Sequence, residues 1–224
     1  MSFKTKKYLV IKKGITKDMA SFIYGYFSMK RRVTRKFFDD RYISPYEEAW
    51  GTWDDKQVPN TYSHYADLVM ETLLEKVKPR MEKETKLKLI PTYSYARIYK
   101  KGDVLQRHKD RFSCEVSTTL FLGGDQWSIF LNPNPKAGHV YGPHRGVHQV
   151  QNYMPTTDKG IKIDLKPGDM LIYSGCELEH WREAFEGTHC CQVFLHYNQI
   201  NSPGAIENRF DYRPFLGLPS WFKK

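Results

Sequence analysis

The hydrophobic pattern of this chain changes period at Leu87, and that change restricts the fold more than any other feature of the sequence. From there the apolar residues alternate, as in strands whose side chains point to opposite faces by turns. Leu89, Tyr93, Tyr95, Arg97 and Tyr99 share one face of a long strand, and Ile90, Ala96 and Ile98 the other. A Lys-Lys-Gly-Asp turn at 100–103 ends it. Short strands then succeed one another at 104–110, 115–122, 127–131, 161–165, 170–173 and 190–197. Many short strands separated by turns predict a sandwich or barrel.

The first 86 residues read differently. Residues 8–11 predict a short strand. Thr16 then stands as a helix cap ahead of Met19, Phe22, Ile23, Tyr26 and Phe27, an apolar stripe at helical spacing. Residues 39–61 form an irregular loop whose Tyr42, Tyr46, Trp50 and Trp53 imply packing against something. A second helix is predicted over 63–81, with Ala66, Val69, Met70, Leu73, Leu74 and Val77 on one side and Pro79 near its end. Helices before strands suggest a mainly β protein with flanking α-helices around a jelly-roll core. The division expected is 1–86 packing on the core, 87–198 as the core, and 199–224 as a Pro- and aromatic-rich extension wrapping the surface. Within the core, 132–158 carries Pro133, Pro135, Gly138, Gly142, Pro143, Gly146 and Pro155 and is too long for a simple hairpin, so it reads as a lid-like insertion.

His108-Lys109-Asp110 carries the chemistry, with His180 seventy residues on. Side chains at i and i+2 of a strand point the same way, so His108 and Asp110 are placed to grip one metal. Two imidazoles and one carboxylate, with open positions left for other ligands, are the donor set of non-haem Fe(II) in oxygen chemistry. The third ligand has to come from a neighbouring strand, and His180 follows the strand at 170–173. This order of ligands suits a double-stranded β-helix, which brings them together at its mouth. His139, His144 and His148 cluster in the long insertion, but their spacing matches no metal site. His189 and His196 lie on the last strand with no carboxylate spaced to join them.

At these residues the chain resembles the 2-oxoglutarate- and Fe(II)-dependent oxygenases, over about residues 87–198. The matching blocks are Arg97-x-Tyr99-x-x-Gly102 followed by His108-x-Asp110, then Pro167-Gly168-Asp169-Met170-Leu171-Ile172-Tyr173 followed by His180, then the closing strand. The similarity looks nearest to the prolyl 4-hydroxylase-like branch, because of the short stretch between the ligands and the Lys-Pro-Gly-Asp block. It implies a cupin-like core, His108, Asp110 and His180 as Fe(II) ligands, and 2-oxoglutarate and O2 as cosubstrates, with ascorbate as an optional reductant. It further implies decarboxylation of 2-oxoglutarate to succinate and CO2 coupled to hydroxylation of an unactivated C–H. The carboxylate of Asp110 points to hydroxylation rather than halogenation.

The resemblance also implies that Tyr99, nine residues before the first ligand, bonds the cosubstrate. The family's basic residue for the distal carboxylate, nine or ten residues after the last ligand, is absent here: those positions hold His189 and Cys190. His189, Arg182 and Arg97 are the alternatives, each able to offer donors to a carboxylate.

The substrate class expected is a peptide or protein residue, or a free amino acid, with the insertion meeting it through Tyr141, His144, Arg145 and Tyr153. The net charge of +10 admits a nucleic-acid partner and oxidative demethylation as an alternative. Yet the positive runs, such as Lys30-Arg31-Arg32, are spread along the first hundred residues and read better as a solvated surface. A non-catalytic cupin-like binding module is the alternative from another class. No run of 18 apolar residues predicts a membrane span. The start lacks the apolar core of a signal peptide, and the four cysteines show no disulfide framework. A cytoplasmic, reduced protein is expected.

Overall fold

A computed structural model of the protein describes residues 2–140 and 153–223. Two antiparallel sheets form the core. The larger has six strands in the order β1 (Tyr8–Ile11), β10 (Met170–Tyr173), β5 (Val116–Gly124), β12 (His189–Gln199), β3 (Leu89–Lys100) and β2 (Tyr62–Tyr65). The smaller has four, in the order β4 (Leu105–His108), β11 (His180–Arg182), β6 (Ile129–Leu131) and β9 (Ile161–Ile163). A short ribbon, β7 (His139–Val140) with β8 (Tyr153–Met154), closes the base of the insertion. This is a double-stranded β-helix, the jelly-roll core that the resemblance implies.

Side-chain alternation sorts the core into two layers. Between the sheets, Tyr99, Phe121, Leu171, Tyr173, Cys190 and Phe194 of the large sheet meet Leu105, Ile129, Leu131 and Ile163 of the small one. On the outer face of the large sheet, Leu120, Leu122, Met170, Ile172, Cys191, Val193 and Leu195 pack under α2 (Lys17–Asp39) and α3 (Leu68–Thr85). A four-residue turn of helix, α1 (Phe3–Lys6), precedes β1. Among the described residues no helix is long and apolar enough to cross a membrane.

Four sequence expectations change at this level. Thr16 does cap α2, accepting from the Met19 amide at 3.2 Å, but the buried stripe is Ala20, Ile23 and Phe27, and Phe22 is 75% exposed. The helix is rotated so that Ile23 and Phe27 centre its inner face. Residues 62–65 form β2 rather than the start of a helix. Ala66 turns the chain at φ 59°, and the buried Asp67 caps α3, accepting from the amides of Val69 and Met70. Pro79 lies inside α3 rather than at its boundary, at an exposed position. Leu89 packs on the helix side with Ala96 and Ile98, not with Tyr95 and Tyr99. The cause is a bulge: the register between β12 and β3 shifts between Leu195 and Tyr197, and one extra residue reverses the parity of β3.

Candidate active site

The mouth of the two-sheet core collects the predicted metal ligands. His108 closes β4 and His180 opens β11, a strand of its own that the sequence does not signal. The two histidines are direct cross-strand partners, with ring centroids 4.2 Å apart. Asp110 lies just past the end of β4, its amide held by the carbonyl of Gly175 at 2.8 Å. Its Oδ1 stands 3.5 Å from the Nε2 atoms of both histidines. One donor atom from each of the three residues falls within 4.8 Å of the others.

The tautomers follow from the hydrogen bonds. His108 Nδ1 lies 2.8 Å from the carbonyl of Gln106, and His180 Nδ1 lies 2.9 Å from that of Leu178. A carbonyl only accepts, so each Nδ1 donates and each Nε2 keeps its lone pair, facing Asp110. Burial pushes the His108 imidazole below its ordinary pKa, aided by the charge of His180. Burial also opposes charge on His180, but the Asp110 carboxylate outweighs it and raises that pKa. Burial alone would raise Asp110; both histidines overcome it and hold the carboxyl well below the usual range. The result is an ionised carboxylate between two imidazoles whose lone pairs converge. That set fits a divalent transition metal, Fe(II) foremost among those bound by two imidazoles and one carboxylate.

Gly175 makes room for this arrangement. A Cβ there would overlap Asp110 Oδ2 and the Cys114 carbonyl. The Gly175→Ala variant is therefore expected to displace Asp110, weakening Mn(II) binding by roughly 10-fold or more, as loss of a ligand-orienting contact does, with a stability loss of about 1–3 kcal/mol from overpacking. Metal titration alongside thermal melting checks both numbers.

A second donor trio, Asp110, Cys114 and His196, also falls within 4.8 Å. It suits a metal less well. His196 Nδ1 is engaged by Ser117 Oγ at 2.8 Å. Burial keeps the Cys114 thiol protonated, near the Tyr93 hydroxyl at 3.1 Å. Ser117 Oγ also approaches Asp110 Oδ2 at 3.3 Å, so these residues back the carboxylate.

Deeper between the sheets lies Arg182, two residues along β11 and 1% exposed. Its Nη1 donates to the carbonyl of Trp127, and its guanidinium lies 5.1 Å from the centre of the Trp127 ring. Its Nε and Nη2 are buried and have no partner among the described residues. Leaving charged donors unpaired in a dry interior is costly, so an anion is the natural occupant beside them. Tyr99 is fully buried, packs edge-on to the same Trp127 at 4.8 Å, and lies within the field of Arg182. Thr119 on β5 and Gln192 on β12 add a buried hydroxyl and a buried amide oxygen without partners. Thr119 shares its strand face with Ser117 and Phe121, toward the interior.

His189 does not join this group. Strand alternation puts it on the face of β12 shared with Cys191 and Val193, turned to the helices, and half-exposed at the strand's start. The next residue, Cys190, faces inward beside Arg182. Arg97 is buried in the interior but already holds a carboxylate: its Nη2 pairs with Asp55, which also takes the Tyr95 hydroxyl. Burial favours a neutral Asp55, but the Arg97 charge and the Tyr95 hydrogen bond keep its pKa low. Gln57, from the same loop, reaches within 3.3 Å of His108 Nε2 and accepts from Arg97 Nη1 at 3.4 Å. Neither Asp55 nor Gln57 carries a motif, and only the aromatic content of 39–61 hinted that the loop packs inward.

The insertion is anchored from behind. The fully buried Glu179, next to His180, accepts from the Thr156 amide at 2.8 Å and hydroxyl at 2.6 Å and from the Tyr153 hydroxyl at 3.0 Å, and pairs with Arg107 at 3.2 Å. Tyr153 is thus committed to Glu179. Tyr141, His144, Arg145 and His148 lie outside the described residues.

A scan of the chain against protein-family models finds none that matches, and a search of curated proteins likewise finds none. Solved structures do share its fold. EctD from S. alaskensis, in its apoform, has a TM-score of 0.61 at 14% identity, over 99% of this chain and 81% of that one. HygX from Streptomyces hygroscopicus, with nickel and 2-oxoglutarate bound, has a TM-score of 0.54 at 15% identity, over 89% and 85%. A Pseudomonas putida prolyl-4-hydroxylase has a TM-score of 0.51 at 13% identity, over 88% and 95%.

Proposed function

We propose that this protein is an Fe(II)- and 2-oxoglutarate-dependent dioxygenase that hydroxylates an unactivated C–H. The observation that carries the reading is the pairing of two features joined by β11: a His108–Asp110–His180 trio with its donor atoms converging, and, two residues beyond His180, a buried Arg182 with two unpaired donors. The first fits a metal and the second fits the far carboxylate of a dicarboxylic acid bound to it. Structures of like fold include HygX with nickel and 2-oxoglutarate, which supports the reading without assigning a substrate. When bound, Fe(II) with 2-oxoglutarate supplies the oxidising power, through reduction of O2 coupled to decarboxylation.

The protein's own residues do the rest. His108, Asp110 and His180 would hold the metal through their converging donor atoms. The carbonyls of Gln106 and Leu178 fix the imidazole orientations, and Ser117 supports Asp110. Arg182, with Tyr99 and the hydroxyl of Thr119, orients the cosubstrate along the interior. Trp127, Tyr173 and Leu178 keep water from its length. Asp55, Arg97 and Gln57 form a polar wall beside His108. The substrate we propose is a residue of a peptide or protein, or a free amino acid, in keeping with the prolyl-4-hydroxylase among the structures of like fold.

The test is a turnover assay with Fe(II), 2-oxoglutarate and a panel of prolyl peptides and free amino acids. Succinate release is expected to match O2 uptake, to require Fe(II), and to rise with one member of the panel that gains one oxygen atom. Metal binding with no succinate above a boiled control would instead make the protein a binding module.

A further inference from the structure

The turn that follows Asp110 is held by the C-terminal tail. Arg111 runs away from the metal site into a two-pronged ion pair with Asp211, Nη1 to Oδ1 at 2.6 Å and Nη2 to Oδ2 at 2.9 Å. The same carboxylate accepts from Ser113 Oγ at 2.7 Å and from the Tyr65 hydroxyl at 2.7 Å, and is buried. Asn208 donates to Ser113 Oγ at 3.1 Å and to Asn198 Oδ1 at 2.7 Å, and Asn198 donates to the carbonyl of Phe112 at 2.7 Å. Each of the three residues after the metal-ligand carboxylate is therefore gripped, and the tail supplies Asp211 and Asn208 for it.

The backbone shows how specifically the tail delivers that carboxylate. Phe210, Asp211 and Tyr212 have φ of 55°, 58° and 65°, three successive non-glycine residues in the left-handed region. L-residues enter that region singly and at a cost, and a run of three persists only where surrounding contacts enforce it. The Asp211 contacts supply that enforcement. A second anchor, the buried Arg213, pairs with Glu71 at 2.9 Å and donates to the Phe210 carbonyl at 2.7 Å, and among the described residues it makes no hydrogen bond to the 111–114 turn.

We infer that Asp211 is a positioning residue for the metal centre: through Arg111 and Ser113 it fixes the turn that sets the direction of Asp110. This inference rests on the metal reading above. It makes Asp211 part of the site's framework, and the burial of Asp211 agrees with that.

The experiment is a Mn(II) titration of the full-length protein, followed by electron paramagnetic resonance, on the wild type and on Asp110→Ala, Asp211→Asn, Tyr65→Phe and Glu71→Gln. Asp211→Asn is expected to weaken Mn(II) binding about 10-fold or more, in the range for loss of a group that orients a metal ligand. Tyr65→Phe, which removes one donor to the same carboxylate, is expected to weaken it less. Glu71→Gln loosens the tail's other anchor, and is expected to lower the melting temperature with Mn(II) affinity unchanged. Wild-type affinity in a folded Asp211→Asn protein overturns the inference, and so does an equal loss in Glu71→Gln, which would make the effect a general loosening. If Asp211→Asn does not fold, the comparison of Tyr65→Phe with Glu71→Gln decides by the same criterion. A wild type that binds no Mn(II), or binds it no better than Asp110→Ala, is a different outcome and removes the metal reading itself.

Discussion

Replacing Asp110 with Ala is expected to abolish Fe(II)-dependent turnover of 2-oxoglutarate while leaving the fold intact. In the proposed site Asp110 would supply the charge that balances the metal, and its Oδ1 lies 3.5 Å from both imidazole Nε2 atoms. Its removal leaves two neutral donors, too few to hold Fe(II) in an open site. The variant is also expected to lower the pKa of His180, since Asp110 is what raises it. In the wild type that raised pKa has a consequence for pH. Metal needs the neutral imidazole and competes with the proton. Affinity should therefore weaken as pH falls through the metal-free pKa of His180, which lies above the ordinary histidine value. His108→Ala should match Asp110→Ala in the turnover assay. Full turnover in either variant contradicts the assignment.

Arg182→Met is the second substitution with a large expected effect, and its two readouts move in different directions. Loss of charge-assisted hydrogen bonds to a buried carboxylate costs about 2–3 kcal/mol, so 2-oxoglutarate binding should weaken roughly 30- to 150-fold. Stability should hold or rise. In the metal-free protein Arg182 is a buried cation with two unpaired nitrogens, and a well-packed apolar residue of similar length removes that penalty. Calorimetric titration with 2-oxoglutarate and Mn(II) measures the first effect, and thermal unfolding without ligand the second. Unchanged affinity would remove Arg182 from the cosubstrate site. A matched substitution at His189 is expected to leave affinity alone, because its side chain lies on the far face of β12.

These two sites differ in how far the sequence discloses them. His108 and Asp110 stand two residues apart where local geometry alone brings them together, and His180 follows in the order a β-helix requires. Arg182 and His189 were equivalent by composition, since both offer donors near the last strand. Pairing separates them: the register of β12 decides which face each residue occupies, and a one-residue change of register reverses every face. The same physics misplaced Leu89, where a bulge opposite His196 shifts the parity of β3. The strand at 62–65 was obscured because Ala66, Val69 and Met70 extend a helical period backward through it. Its identity rests on hydrogen bonds to β3, thirty residues away. Gln57, Asp55 and Asp211 act through contacts between distant segments, for which local pattern carries no signal.

The most direct measurement is a crystal structure of the protein grown without oxygen with Mn(II) and 2-oxoglutarate. The expected result is one metal ion bound by His108 Nε2, Asp110 Oδ1 and His180 Nε2, with 2-oxoglutarate on its open side and the far carboxylate against Arg182. A metal bound instead by Asp110, Cys114 and His196, or an interior in which Arg182 meets no carboxylate, would contradict the account.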